Sequence, residues 1–275
     1  MIGQAERVYQ LNRGYGLSIS SSKSCPYIAF TSGKGGTGKS FCALNIAYNL
    51  ADLGKKVLLI DLDFNLSNIH LMMDVLPSAT LANVLNQNRT IEETVHHIES
   101  NLDLIFGDSG NLDLSISLDD IKSFFNKLNG ISKQYDVVLF DAGSGAGDEI
   151  LEVLSIMDEI IIVTTPEPTS VMDAYVVAKL LKQKKIKISM SVIVNKCPNL
   201  ADGETAFQNL KNAVTHFLKE EIDHLGSLQF SSDALKSIMD QRPLFSFQKD
   251  SELIDQLGKL SAKIAKNKQM VNNNH

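Results

Sequence analysis

The stretch Tyr27–Ser40, "YIAFTSGKGGTGKS", decides the fold. Its first six residues are apolar or β-prone and read as a strand. Its last eight, G-K-G-G-T-G-K-S, meet the pattern GxxxxGK[ST] at Gly33, Gly38, Lys39 and Ser40, and a helical pattern follows. Strand, glycine-rich loop and helix in that order form a phosphate-binding turn. The glycines Gly33, Gly35, Gly36 and Gly38 let backbone N–H groups converge on phosphate oxygens without side chains in the way, and the helix N-terminus adds a favourable dipole. The segment expected to touch a nucleotide runs through Thr37, Lys39 and Ser40 to Phe41. Within it Lys39 is expected to reach the β- and γ-phosphates, with the Ser40 hydroxyl on Mg²⁺.

Outward from this loop the chain repeats one theme. Short, continuously apolar runs, "KKVLLIDLD", "LDLIFG", "YDVVLFDAG", "DEIIIVTTP", "ISMSVIVNK" and more weakly "HLGSLQF", are separated by helical patterns. Runs apolar throughout are expected of parallel strands covered on both faces. The first helix is expected over Phe41–Leu53, with Ile46, Leu50 and Leu53 on one face and Gly54 as its stop. The fold class expected is α/β: a doubly wound, mostly parallel sheet flanked by helices. His96 and His97 fall in a polar stretch and read as surface or core histidines.

Three segments are expected. Residues 1–26 read as a short helix-compatible peptide, "IGQAERVYQLN", on a Gly/Ser-rich flexible linker closed by Pro26. Residues 27–268 form the nucleotide-binding domain, and 269–275 a disordered tail. Composition narrows the function classes. A net charge of -6 argues against a surface built for nucleic-acid phosphates. The three cysteines, Cys25, Cys42 and Cys197, lack CxxC spacing and suggest neither a disulfide framework nor a zinc site. No leader pattern or long apolar window is visible, so a cytoplasmic protein is expected.

Chemistry is expected at the C-terminal ends of the strands. Asp61 and Asp63 follow the second apolar run, and alternation places both on one side of a strand. One carboxylate can approach Mg²⁺ through its water shell while the other orients an attacking water. Asp141 ends the run "YDVVLFD" and is placed to hold a Mg²⁺ water; the small residues Ala142 to Gly147 form a loop able to move. Asn195 ends another run, where an amide can both donate to and accept from a base edge. The residues after it, Lys196, Cys197 and Pro198, lack the aspartate of an NKxD arrangement, which favours ATP over GTP.

The second lysine of the loop, Lys34, has no role in a monomer whose loop end is served by Lys39. A lysine at the loop start points outward and is placed to meet the phosphates of another subunit. In this the sequence resembles the deviant Walker A family, KGGxGK[ST], that includes MinD and ParA. There the early lysine crosses an ATP-sandwich homodimer, so hydrolysis depends on dimerisation as it does on an arginine finger. The family's pattern DxDxGLxN implies the water-positioning role for Asp63 and a metal-shell role for Asp61. It matches Asn68, with Asn65 standing in place of its glycine, and implies base recognition for Asn195. "TTPEPTSVMDAYVVAKLL", Thr164–Leu181, resembles the TPEPTSxxDAY segment of the flagellar-number branch, FlhG or FleN. That resemblance implies an ATP-dependent dimerisation switch acting on flagellar number or placement. It implies the flagellar GTPase FlhF, basal-body switch components or a flagellar transcription activator as partners, with residues 3–9 in the position of the branch's partner-binding peptide.

The last helical pattern, with Leu253, Leu257, Leu260 and Ile264 in a stripe among Lys259, Lys263, Lys266 and Lys268, is either the final core helix or a peripheral contact with the inner face of the membrane. A nucleotide-held scaffold with little turnover and a ParA-type DNA partitioning ATPase are the competing functions. An iron–sulfur reductase would need cluster cysteines that Cys42 and Cys197 do not supply.

Overall fold

The computed structural model describes residues 23–63, 67–108, 117–145, 147–246 and 251–267. The peptide expected at the N-terminus, the disordered tail and Asn65 lie outside these residues. Eight strands form one sheet in the order β3-β4-β2-β5-β1-β6-β7-β8: β1 Tyr27–Ser32, β2 Val57–Leu62, β3 His96–Glu99, β4 Leu102–Ile105, β5 Val137–Ser144, β6 Glu159–Thr164, β7 Ser189–Cys197 and β8 Asp223–Gln229. Every pairing is parallel except β3 with β4. β1 lies between β5 and β6, so the crossovers that leave β1 and enter β6 run in opposite directions. The phosphate loop therefore leaves the sheet at its switch point, where doubly wound sheets bind ligands.

The continuously apolar runs resolve into two faces. Ile28, Phe30, Val57, Leu59, Val137 and Leu139 pack on one side with α1 (Lys39–Asp52). Tyr27, Ala29, Leu58, Ile60, Val138 and Phe140 pack on the other. That second layer contains Phe124, Phe125 and Leu128 of α4 (Leu118–Ser132), Leu151 and Leu154 of α5 (Asp148–Ser155), Val177 and Leu181 of α6 (Pro168–Gln183), and Phe207 and Leu210 of α7 (Leu200–Ala213). Short helices α2 (Ile69–Met72) and α3 (Leu81–Leu85) follow β2, and α8 (Ser232–Met239) follows β8.

Three local expectations change and one open alternative is decided. The helix after the loop ends at Asp52; Gly54 does supply a left-handed stop at φ 79°, but Leu53 is exposed and lies off the buried face. Residues 23–26 are tied to the sheet: Lys23 Nζ lies 2.8 Å from Asp158 Oδ1, and Val138 N donates to Pro26 O at 3.0 Å. The "polar stretch" at His96 is β3, an antiparallel edge strand whose His96 ring meets Phe106 edge-on. The stripe of the last helix, α9 (Glu252–Asn267), is core: Leu253, Leu257, Leu260 and Ile264 are each at most 3% exposed and pack with α1 and β8 residues. Its apolar face is thus occupied by protein and unavailable to lipid in this conformation.

Candidate nucleotide site

The loop from Gly33 to Gly38 is shaped by close approach at both ends. A Cβ on Gly33 would lie 2.3 Å from the carbonyl carbon of Asp173 in α6, and one on Gly38 would lie 2.2 Å from Asn195 Nδ2. Gly38 also has φ 89°, a left-handed conformation that side chains resist. Donors brought from β7 hold the loop by its carbonyls: Asn195 Nδ2 donates to Thr37 O at 2.9 Å and Lys196 Nζ to Gly36 O at 2.7 Å. Ser32 Oγ donates to Lys34 O at 2.9 Å. A loop pinned by its carbonyls at the N-terminus of a helix is suited to an anion.

Under the loop lies a buried charge cluster. Lys39 Nζ stands 2.5 Å from Asp141 Oδ1, with both side chains almost wholly buried, and 3.4 Å from Ser40 Oγ. Adjacent pairing of β2 and β5 sets Asp61 opposite Asp141. Asp61 accepts from Asp63 N at 3.0 Å and from Ser67 Oγ at 2.7 Å. Burial, then the charge of Asp141, pushes the Asp61 carboxyl up to about 7. Burial also raises Asp141, while Lys39 opposes the rise. Asp141 Oδ2 is buried without a hydrogen-bond partner. One ammonium against two facing carboxylates, one with an oxygen unpartnered, is a donor set that fits a hard divalent cation.

The strand reading of the two aspartates needs correction. β2 ends at Leu62, so alternation does not carry through to Asp63. Asp61 is buried beside Asp141, whereas Asp63 is part-exposed and lines a cavity of about 600 Å³ with Lys39, Ser40, Phe41, Asn68 and Ser144. The small-residue segment after Asp141 is also shorter as a loop, because β5 runs on through Ser144 and the turn begins at Gly145, φ 93°. The cavity continues from Gly35–Gly38 past Asn195 and Lys196 to Phe230, Ser231 and the Ala234, Leu235 and Ile238 face of α8. Sequence reasoning missed Lys196 and this apolar wall. The adjacency of Lys196 to Asn195 was a usable signal; the wall, contributed from beyond β8, left none.

Lys34 stands apart from the buried cluster. Its Nζ lies 2.9 Å from Glu167 Oε2 and 3.4 Å from Thr169 Oγ1, at the start of α6, with the lysine side chain 35% exposed.

The family profile described as ParA, NUBPL iron-transfer P-loop NTPase, matches residues 25–265. The chain belongs to the ParA/MinD-type P-loop NTPases. Among proteins of this family it is 31% identical over 239 residues to the flagellum site-determining protein YlxH of Helicobacter pylori, covering 85% of this chain and 81% of that protein. It is 28% identical over 219 residues to the antiactivator FleN of Pseudomonas aeruginosa, covering 79% and 78%. In fold it is similar to the septum site-determining protein MinD of Pyrococcus horikoshii complexed with Mg-ADP, at TM-score 0.73 and 22% identity over 90% of this chain and 98% of the other. The eight-stranded, mostly parallel sheet flanked by helices is the fold of this family.

Proposed function

We propose that this chain is a Mg²⁺-dependent ATP hydrolase that forms a homodimer around ATP and acts as a switch on flagellar number or placement. The observation that carries the reading is the division of labour between the two loop lysines. Lys39 is buried over Asp141, while Lys34 is partly exposed at the loop's edge. The names of the similar proteins, a flagellum site-determining protein and an antiactivator, support the flagellar assignment.

In this reading the loop from Gly33 through Phe41 holds the phosphates, and Lys39 exchanges part of its contact with Asp141 for phosphate oxygens. Ser40 and Asp141, with Asp61 beside them, would hold Mg²⁺, which would neutralise charge on the β- and γ-phosphates. Asp63, on the cavity wall, orients the attacking water. Lys34 acts on the nucleotide of the second copy, so turnover waits for dimerisation. Asn195 gives one of its two Nδ2 hydrogens to Thr37 O, which leaves the second and the carbonyl oxygen for a base edge, and the apolar wall at Phe230 and α8 offers the base a surface. Such a protein positions groups and stabilises charge, so its turnover is slow until activated.

Flagellar partners, FlhF, basal-body switch components or a transcription activator, have a candidate surface in the apolar groove of about 420 Å³ between α6 and the end of α7, lined by Pro166, Met172, Tyr175 and Phe217. The reading places the protein in the cytoplasm with at most peripheral membrane contact, and such contact would need a surface other than the α9 stripe; no helix among the described residues is long and apolar enough to cross a membrane.

Molecular mass in solution, with ADP and with ATP plus Mg²⁺, tests the switch. ATP should double the mass, Asp63→Ala should trap the dimer, and Lys34→Ala should lose turnover. Wild type and Asp63→Ala both monomeric at high ATP would leave a nucleotide-held scaffold as the better reading.

A further inference from the structure

Two helices that line the cavity beyond the phosphate loop, α2 and α8, end alike. After α2, Val75 N donates to His70 O at 3.0 Å and Asp74 takes the left-handed conformation, φ 51°. After α8, Arg242 N donates to Ser237 O at 3.0 Å, Gln241 N to Ile238 O at 3.3 Å, and Gln241 has φ 52°. Such a helix end usually carries glycine, because a Cβ resists a left-handed backbone. Glutamine at 241 thus carries a backbone cost that the turn itself does not require. What it adds is a side chain: Gln241 Nε2 donates to Leu71 O at 2.9 Å, joining α8 to α2 from 170 residues away. Asp74 N reaches the same carbonyl only at 3.5 Å.

We infer that Gln241 is a positioning residue that clasps α2 to α8 and so sets the rate at which nucleotide enters and leaves the cavity. The inference rests on the reading of that cavity as the nucleotide site. Leu71, Met72, Leu235, Ile238 and Gln241 all line it, so parting the two helices opens it. α2 is tied at its start, where Ser67 Oγ and Ile69 N bond the buried Asp61 carboxylate. α8 is held more lightly, since Ser237 alone of its residues is buried, and a single bond to α2 therefore weighs in its placement. That bond is open to water, so it breaks and re-forms at small cost. A clasp slows entry and exit alike and leaves affinity unchanged, whereas a contact to the nucleotide itself acts on exit.

The test uses the full chain and fluorescent ADP in stopped-flow mixing, with association and dissociation measured separately. Gln241→Gly should raise both rate constants by about two- to tenfold, the range of one hydrogen bond, and leave Kd within about twofold of wild type. Glycine also relieves the left-handed backbone, so the urea midpoint should hold or rise, a result that general loosening of the fold would reverse. Gln241→Met keeps the length of the side chain without its donor and should speed exchange as much. Rate constants unchanged in both variants overturn the clasp, and so does a rise in dissociation alone, which would make Gln241 a contact to the nucleotide. Fluorescent ADP that fails to bind the wild-type chain overturns the reading of the cavity and this inference together.

Discussion

Lys34 and Lys39 belong to one loop and one residue type, yet they occupy opposite surroundings. Lys39 is 7% exposed and sits over Asp141, which is 1% exposed, in a cluster that also holds Asp61. Lys34 is 35% exposed and bonds a carboxylate that is itself mostly in water. A buried ammonium cannot be removed without leaving a carboxylate uncompensated; an exposed one can. The loop's end is built into a buried charge cluster, while the lysine at its start is held at the surface by an ion pair open to water. Stability and turnover should therefore respond differently at the two positions.

Lys39→Ala is expected to have the largest effect on stability, about 3 kcal/mol by urea unfolding, because Asp141 is left buried without its partner. Nucleotide affinity should fall at least about a hundredfold. Asp61→Asn should act in the opposite sense. The folded Asp61 carboxyl is raised from 3.8 to about 7. Its contribution to stability is thus present below pH 3.8 and lost as pH rises through about 7. Removing the charge should make the nucleotide-free protein more stable by about 2 kcal/mol at pH 8, with the gain fading as pH falls towards 4, while turnover drops. An Asp61→Asn chain no more stable than wild type at pH 8 would show that burial and the charge of Asp141 place no net cost on the charged Asp61 carboxyl.

Lys196→Met should change stability by less than about 1 kcal/mol, since its bond to Gly36 O is made at the surface. Its mark should be on ADP affinity, about tenfold weaker, read by fluorescence titration, because the loop loses one of its two ties to β7. Lys34→Ala should be the mildest in unfolding, within about 0.5 kcal/mol of wild type, with monomer ADP binding intact. Its ATP turnover should nonetheless fall by about a thousandfold, the scale of a cation supplied in trans. A large stability loss at Lys34 would erase the contrast between the two lysines.

The strand, loop and helix around Gly33–Ser40 were legible because glycine spacing, the Lys-Ser pair and a continuous apolar strand constrain one another locally. The two-faced sheet was legible for a similar reason: only strands covered on both sides keep runs such as "VVLF" free of polar residues. β3 was not, since His96–Glu99 is a four-residue edge strand with a single apolar side chain, specified by the partner β4 and not by its own pattern. The stripe of α9 could be read two ways because an apolar face looks the same whether lipid or α1 covers it. Contacts across the sequence were beyond reach altogether: Lys34 meets Glu167 from 133 residues away, and Asn195 meets Thr37 from 158. Asp63 shows the limit of periodicity, since alternation holds only while the strand lasts and β2 stops one residue short of it.

The central claim, that Lys34 serves the nucleotide of the second copy, is tested most directly by mixing two inactive variants. Lys34→Ala keeps its own Asp63 and lacks a lysine to give; Asp63→Ala gives the lysine and lacks its own water-positioning carboxylate. In an equal mixture, random pairing makes about half the dimers mixed, each with one complete site, so ATP turnover should recover to about a quarter of wild type. If the mixture stays as inactive as its components while sedimentation shows that mixed dimers form, Lys34 acts within its own chain and the account is wrong.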